Sequence, residues 1–409
     1  MNILYINHYA GSPEMGMEFR PYYLSKEWIK MGFRVDIIAA DYSHMRIHNP
    51  APQKDFAQEV IDDIHYHWIH TGTYQGNGIA RLKTMLQFVA KLYVSAKKIA
   101  DTLQPDVIIT SSTYPLDTYV GQRIKKYRPS AKLIHEIHDM WPAVLTEVNG
   151  MSKYHPFVLL MQMAENSFCK NADKVVSLLP GAKDYLIEHG MQEDKFLVVT
   201  NGVNIEDWIH TEKLNEVTEQ VLAELKKRNQ FIICFFGSIT NYYALPELIE
   251  AVQKLDNENI SVVIVGEGNY KEHLMKLATQ KNPDKFLFLP KIPKKQVPEL
   301  LKRVDVLYVG GVKNSVFKYG ISMNKLFDSM MSGKPIIYAV DAPNNYIEEY
   351  KCGISVEAGN VDALAEGIDE IYRMPVEERG QMGENGHGAA VQEFTYRKLS
   401  EKFYDTFLK

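Results

Sequence analysis

Cysteine is scarce in this chain: three residues in 409, Cys169, Cys234 and Cys352, far apart and without a CxxC. That excludes a disulfide framework and a zinc knuckle, and it fits a reducing compartment. Long apolar runs are also missing. None approaches the roughly 20 residues that a spanning helix needs. The opening MNILYINHYAGSP lacks a basic leader and an extended apolar stretch, so it does not read as a signal peptide. A cytoplasmic protein is expected. There is no low-complexity tract and no repeat of fixed period. Excess positive charge is absent, the net being −5, which argues against bulk nucleic-acid binding. No Asp-x-Asp occurs, so a diphosphate clamped by metal is not expected, and no cofactor or metal is.

What is present is alternation of strand and helix, the mark of an α/β protein. The length exceeds one typical core, so two or three domains are expected. Asn2 to Asn7 reads as a strand, the loop with Gly11 and Gly16 follows, and a helix runs from about Glu18 to Met31. Arg34 to Ala40 is the next strand. Such βαβ units build parallel sheets, whose ligands lie at the carboxyl ends of strands. Arg20, in the first turn of that helix, is either an anion ligand or a surface charge. His65 and His67 share one face of a strand, and ordinary strand histidines read better there than metal ligands. Residues 79–100 form a long helix whose charges, Arg81, Lys83, Lys91, Lys97 and Lys98, are all basic. It is either a core helix with a solvated edge or an element that lies on an anionic membrane surface. The strand Lys132 to Ile137 ends in His138-Asp139-Met140-Trp141-Pro142. His138 and Asp139 either act on a sugar or as acid/base groups, or they form a buried polar turn.

Composition changes after Asn204, and a second alternating set begins at Phe231. The expected layout is a first Rossmann-like domain over 1–204, a second over 205–389, and a C-terminal helix over 390–409 crossing back to the first. The stretch GISMNKLFDSMMSGKPII, Gly320 to Ile337, carries most chemistry. It reads as a loop, a helix with free N–H groups at its start, a glycine stop and a buried strand. Such a start favours anions. Lys325 offers a point charge for phosphate, and Asp328, one turn on, an acceptor for ribose hydroxyls.

Several stretches together resemble the family 4 retaining glycosyltransferases: YINHYAGSPEMGMEFRPYYLSKEW, HEIHDMWP, VVTNGVN, FFGSITN, VGEGNYKEHL and SVFKYGISMNKLFDSMMSGKPII. Within that family the chain resembles a bacterial surface-polysaccharide branch with N-acetyl-fucosamine-type aminosugar transferases. The resemblance implies a GT-B fold, two doubly wound domains facing across a cleft. It implies that Asp328 binds ribose hydroxyls and that Ser322, Asn324, Lys325 and Leu326 serve the diphosphate. Gly16 and Met17 form the glycine loop against the donor, and His138 contacts the transferred sugar. Gly237 and Ser238 approach the phosphates, and Gly266, Lys291 and Ile292 line the nucleotide. Two departures stand out. The family's first motif glutamate falls at Gly320, and the Arg/Lys pair expected after Gly237-Ser238 is missing, since Ile239 to Ala244 holds no basic residue. Lys325 and Arg20 are the substitutes expected for that charge.

The activity so implied is metal-independent transfer of a sugar, with retention, from a nucleotide-sugar donor, UDP-linked, to a lipid-linked saccharide acceptor. The site would be cytoplasmic, on the inner face of the plasma membrane, with contact through 79–100. Two other classes are a nucleotide-sugar epimerase of the same architecture and a non-catalytic partner in a polysaccharide assembly complex.

Overall fold

A computed structural model describes the chain apart from residues 17, 18, 77, 256, 280 and 409. The chain divides into two compact units. The first holds Met1–Asn201, Tyr319–Ile321 and the segment from Tyr396 onward; the second holds Gly202–Lys318 and Ser322–Thr395.

The first unit is built on eight strands: β1 (Asn2–Ile6), β2 (Arg34–Ala40), β3 (Ala57–Ile61), β4 (Ile64–Ile69), β5 (Val107–Thr110), β6 (Lys132–Ile137), β7 (Lys174–Ser177) and β8 (Phe196–Val198). Their order is β3-β4-β2-β1-β5-β6-β7-β8. All pairs are parallel except β3 with β4, which is an antiparallel edge ribbon. The order reverses between β1 and β5, where loops diverge and leave a crevice at the carboxyl edge. One face of the sheet carries the helix Phe19–Lys30, which buries Tyr22, Tyr23, Leu24 and Trp28. The C-terminal helix Tyr396–Leu408 closes over it. Phe403 and Phe407 meet the Trp28 ring at 5.2 and 5.4 Å. Trp28 is fully buried, so its loss would cost about 3–5 kcal/mol. The C-terminal helix is thus integral to the first core.

The second unit has six strands: β9 (Phe231–Phe236), β10 (Ile260–Val265), β11 (Phe286–Leu289), β12 (Val306–Gly310), β13 (Ile336–Ala339) and β14 (Gly353–Ser355). All are parallel, in the order β11-β10-β9-β12-β13-β14. Every residue of β9 and β10 is buried, as expected where helices cover both faces. The reversal lies between β9 and β12. Val203 donates its N–H to the Phe394 carbonyl at 2.8 Å and pairs in parallel with Thr395. The two connecting segments therefore run side by side, and residues 390–395 stay with the second unit.

Candidate functional site

In the second unit, glycine backbones form the floor of a site at the carboxyl edge. β9 ends in Gly237 (φ 121°) and β10 in Gly266 (φ 155°). Gly237 donates its N–H to Val265, and Ile239 donates to Glu267, at 3.0 and 2.9 Å. A Cβ on Gly266 would stand 1.9 Å from the Gly237 carbonyl oxygen, so no other residue fits there. Exposed Ser238 follows Gly237. The helix Asn324–Met331 starts beside this floor. Its N-cap, Met323, offers no side-chain acceptor, and its first turn contains no acid, so the positive end of the dipole is uncompensated. Leu326 does not match its expected part: its N–H already donates to the Met323 carbonyl at 3.1 Å. Ser322 and Asn324 stand at the helix entrance, Asn324 exposed.

Lys325 is the unusual residue. It is buried, and its Nζ lies 3.2 Å from the centroid of the Tyr243 ring and 3.8 Å from that of Phe235. Among the described residues Nζ has no hydrogen-bond partner. Its open side is Gly237, where a Cβ would come within 3.4 Å of Nζ. Burying an ammonium costs several kcal/mol even after relaxation, whereas a desolvated cation–π contact returns about 2 kcal/mol. The rings also leave its donors without a conventional acceptor. Burial accordingly pushes the ammonium well below the ordinary lysine range. Tyr243 lies in the segment where the family pattern has cations. An aromatic ring stands there instead, packed against a lysine supplied by another element.

Asp328, one turn on, faces Lys294 from the loop after β11. Its Oδ2 accepts from Lys294 Nζ in a short ion pair, while the buried Oδ1 has no partner among the described residues. Sequence spacing hides Lys294, which is 34 residues away. Lys291 is exposed and Ile292 half-buried on the same loop.

In the first unit the centre is Glu136, on β6 and fully buried. Its Oε1 accepts from Arg20 Nε and Nη2 at 2.9 and 2.8 Å. Its Oε2 accepts from Tyr5 at 2.5 Å and from Ser111 at 2.6 Å. Arg20 also donates to the carbonyls of Val199 and Thr200. The expectation of Arg20 as a phosphate ligand therefore fails: its guanidinium is enclosed, and each of its three nitrogens already donates within the first unit. The adjacent Arg20 charge holds the Glu136 carboxyl far below the usual range against the opposing effect of burial. Ser111 Oγ gives its proton to Glu136, so it accepts from His138 Nε2 at 2.8 Å. This network assigns the imidazole proton to Nε2. His138 and Asp139 then border a small polar cavity with Ser112, Thr113, Tyr114 and Trp141. Asp139 is exposed and His138 half-buried. Glu136 and Ser111 escaped sequence reasoning, although a glutamate inside the strand LIHEI was the available signal.

Gly16 adopts φ 104°, and a Cβ there would press on the Ile47 N at 3.0 Å. Met17 lies outside the described residues. Gly320 takes φ 103°, a backbone that residues with a Cβ rarely adopt. His67 is a structural residue, its Nε2 2.7 Å from Asp36 Oδ1. In the helix Ile79–Leu103, Leu86 and Tyr93 face outward and do not join the core stripe.

Two parallel open sheets, each with chemistry at its reversal point, define the GT-B class. Its fold is matched over the whole chain by HepE of Anabaena, solved with UDP and glucose (TM-score 0.69, 16% identity, 100% of this chain and 99% of that one). Sucrose-phosphate synthase of Thermosynechococcus elongatus matches likewise (TM-score 0.76, 15% identity, 100% and 98%). Residues 15–207 match the model of Glycosyltransferase Family 4, and residues 217–388 that of Glycosyl transferases group 1. The chain is a family 4 type glycosyltransferase with the GT-B fold. It is 22% identical to an uncharacterized glycosyltransferase of Methanocaldococcus jannaschii, over 74% of each chain. WbjE of Pseudomonas aeruginosa, a probable glycosyltransferase, is 21% identical over 74% of each. WcaI of Escherichia coli, whose description links it to colanic acid biosynthesis, is 24% identical over 62% of this chain and 60% of its own. These relatives do not favour the epimerase alternative.

Proposed function

We propose that the protein moves a sugar from a UDP-linked donor to a lipid-linked saccharide acceptor in surface-polysaccharide synthesis, with retention and without metal. The observation that carries the donor half is the meeting of Lys325, Asp328 and the Gly237–Gly266 floor at the reversal point of the second sheet. Asp328 takes the ribose hydroxyls through its unpaired Oδ1. Lys325 and the helix start take the diphosphate, stabilising charge as it departs. The leaving phosphate helps deprotonate the acceptor, so no enzyme nucleophile is required. His138, oriented by Ser111, contacts the transferred sugar, and Asp139 is available at the cavity rim. The polysaccharide context draws on the description of WcaI, and the nucleotide on the UDP held by HepE. The aminosugar branch is retained as the narrower reading of the donor.

Among the described residues no helix is long and apolar enough to cross a membrane. Contact with a lipid acceptor is assigned to the surface helix Ile79–Leu103, at the inner face of the plasma membrane. The test is a thermal-shift panel of nucleotide sugars, followed by nucleotide release with and without membrane lipid extract. Lipid-dependent release in the presence of EDTA supports the proposal. Donor left unchanged under all conditions supports the non-catalytic partner.

A further inference from the structure

We infer that Lys325 stays uncharged until a phosphate arrives, so that binding of a nucleotide sugar carries one proton from solvent onto its Nζ. The inference rests on the nucleotide-sugar reading above and adds to it a coupling between donor affinity and pH. Nζ is wedged between the Tyr243 and Phe235 rings and ends against Gly237, with no acceptor within reach among the described residues. A lysine held for structural reasons would terminate on a carboxylate or a carbonyl. The nearest acid on its own helix, Asp328, is paired with Lys294. Past the Gly266 turn, Glu267 is paired with Lys271 at 2.8 Å. The Tyr243 phenol is itself raised by burial and stays neutral. Burial is what lowers Lys325. An anionic phosphate oxygen placed over Gly237 supplies the missing acceptor. The bound state then favours the ammonium, the proton comes from water or buffer, and no covalent bond changes.

The sign follows. Between the low affinity of free Lys325 for its proton and the higher one in the complex, binding takes up one proton. Affinity then falls as pH rises, by up to about tenfold per pH unit. The probes are UDP-glucose and GDP-mannose, whose diphosphates do not titrate near neutrality. Calorimetry in PIPES and in Tris, whose ionisation heats differ, counts the protons. Wild-type protein is expected to take up close to one proton per donor bound. Lys325→Met is expected to abolish that uptake, lower affinity at pH 7 at least tenfold and flatten its pH dependence. The same variant should melt at a higher temperature, because an apolar side chain fills the slot; a structural lysine would give lower melting and leave the proton count alone. Binding without proton uptake, or uptake unchanged in Lys325→Met, overturns this inference by itself. No binding of either donor, at any pH, overturns the nucleotide-sugar reading and this inference with it.

Discussion

Each unit buries one basic side chain in the first turn of a helix, and the two are treated in opposite ways. Arg20 in the first unit meets Glu136 through Nε and Nη2, and the carbonyls of Val199 and Thr200 through Nη2 and Nη1. Lys325 in the second meets two aromatic rings and no acceptor. Both residues are nearly inaccessible, at 4% and 9% exposure, so burial does not distinguish them. The difference is completeness. A buried basic group whose nitrogens all find acceptors holds a scaffold, whereas one left without an acceptor marks a place for something absent from the chain. Arg20 fixes Glu136, and Glu136 fixes the Ser111 hydroxyl on which His138 rests. It serves the chemistry at one remove and never touches an anion from outside.

The sharpest way to break this contrast is to make the same substitution on both sides. Arg20→Met leaves Glu136 charged and unpaired, and should destabilise the protein by about 3–5 kcal/mol in urea unfolding. Lys325→Met should move stability in the other direction. Equal losses from the two would mean that the two buried basic side chains do the same work. Glu136 adds a pH signature. Its carboxyl is lowered in the folded state, so its contribution is present above the unfolded carboxylate value and is lost as pH falls below it. The steepness of acid unfolding should therefore drop in Arg20→Met, measured by circular dichroism between pH 6 and pH 3.

Next in size is Asp328→Ala, which tests whether the half-open acid is a ligand site. Loss of two hydroxyl contacts to a charged acceptor should weaken nucleotide-sugar binding by about ten- to a hundredfold. The nucleobase and diphosphate contacts remain, so binding should persist at high concentration. Undiminished affinity would remove the ribose role and leave Asp328 as the structural partner of Lys294.

These contrasts also show what could be read in the chain beforehand. The alternation of strands, the glycine turns and the apolar strand FIICFF follow from local rules, and they yielded two open α/β sheets. The donor stretch was legible because Lys325 and Asp328 are three residues apart, on one helix face. Lys294, Tyr243 and Phe235 were not legible, because strand pairing brings them there from 31, 82 and 90 positions away. Arg20 was misread for the same reason: its partner Glu136 is 116 residues distant. The helix Val376–Glu393 was missed outright. Its four glycines, Gly380, Gly383, Gly386 and Gly388, argue against helix by propensity. Packing overrides that at Gly383, where a Cβ would meet the Gly333 carbonyl oxygen at 1.9 Å. The helix Pro156–Asn171 opens on its proline, at N1 as the missing N–H permits.

A buried acid extends the comparison to the opposite sign. Glu165, on the helix Pro156–Asn171, accepts from Tyr185 Oη at 2.8 Å and Gln162 Nε2 at 2.7 Å, neither of them a cation. Burial raises its carboxyl to about 7. A raised carboxyl stabilises the fold below the unfolded value, and that contribution is lost as pH rises toward 7. Glu165→Gln removes the titration. Its stability relative to wild type should improve by on the order of 1–2 kcal/mol between pH 5 and pH 8, read from melting temperatures at both. A constant difference would mean that Glu165 is ionised in the fold, with the two neutral donors sufficing to hold it.

The smallest effects belong to the surface, where the same distinction applies to the helix Ile79–Leu103. Ile79, Leu86 and Val94 are exposed, and Lys83 and Lys97 lie between and beyond them at helical spacing, on that outward face. Lys91 points elsewhere: its Nζ meets Asp55 at 2.9 Å and the His70 carbonyl at 2.8 Å. A lysine near an anionic bilayer contributes about 1 kcal/mol, or roughly fivefold in affinity. Lys83→Ala should therefore lower co-sedimentation with vesicles of phosphatidylglycerol and phosphatidylethanolamine by about that factor, and Lys97→Ala by less, since Asp101 lies 3.3 Å from it. Lys91→Ala should leave it unchanged, because that charge is already neutralised within the first unit. Equal losses at all three positions would show that net charge alone governs the contact. Loss at none would assign this face of the helix to solvent.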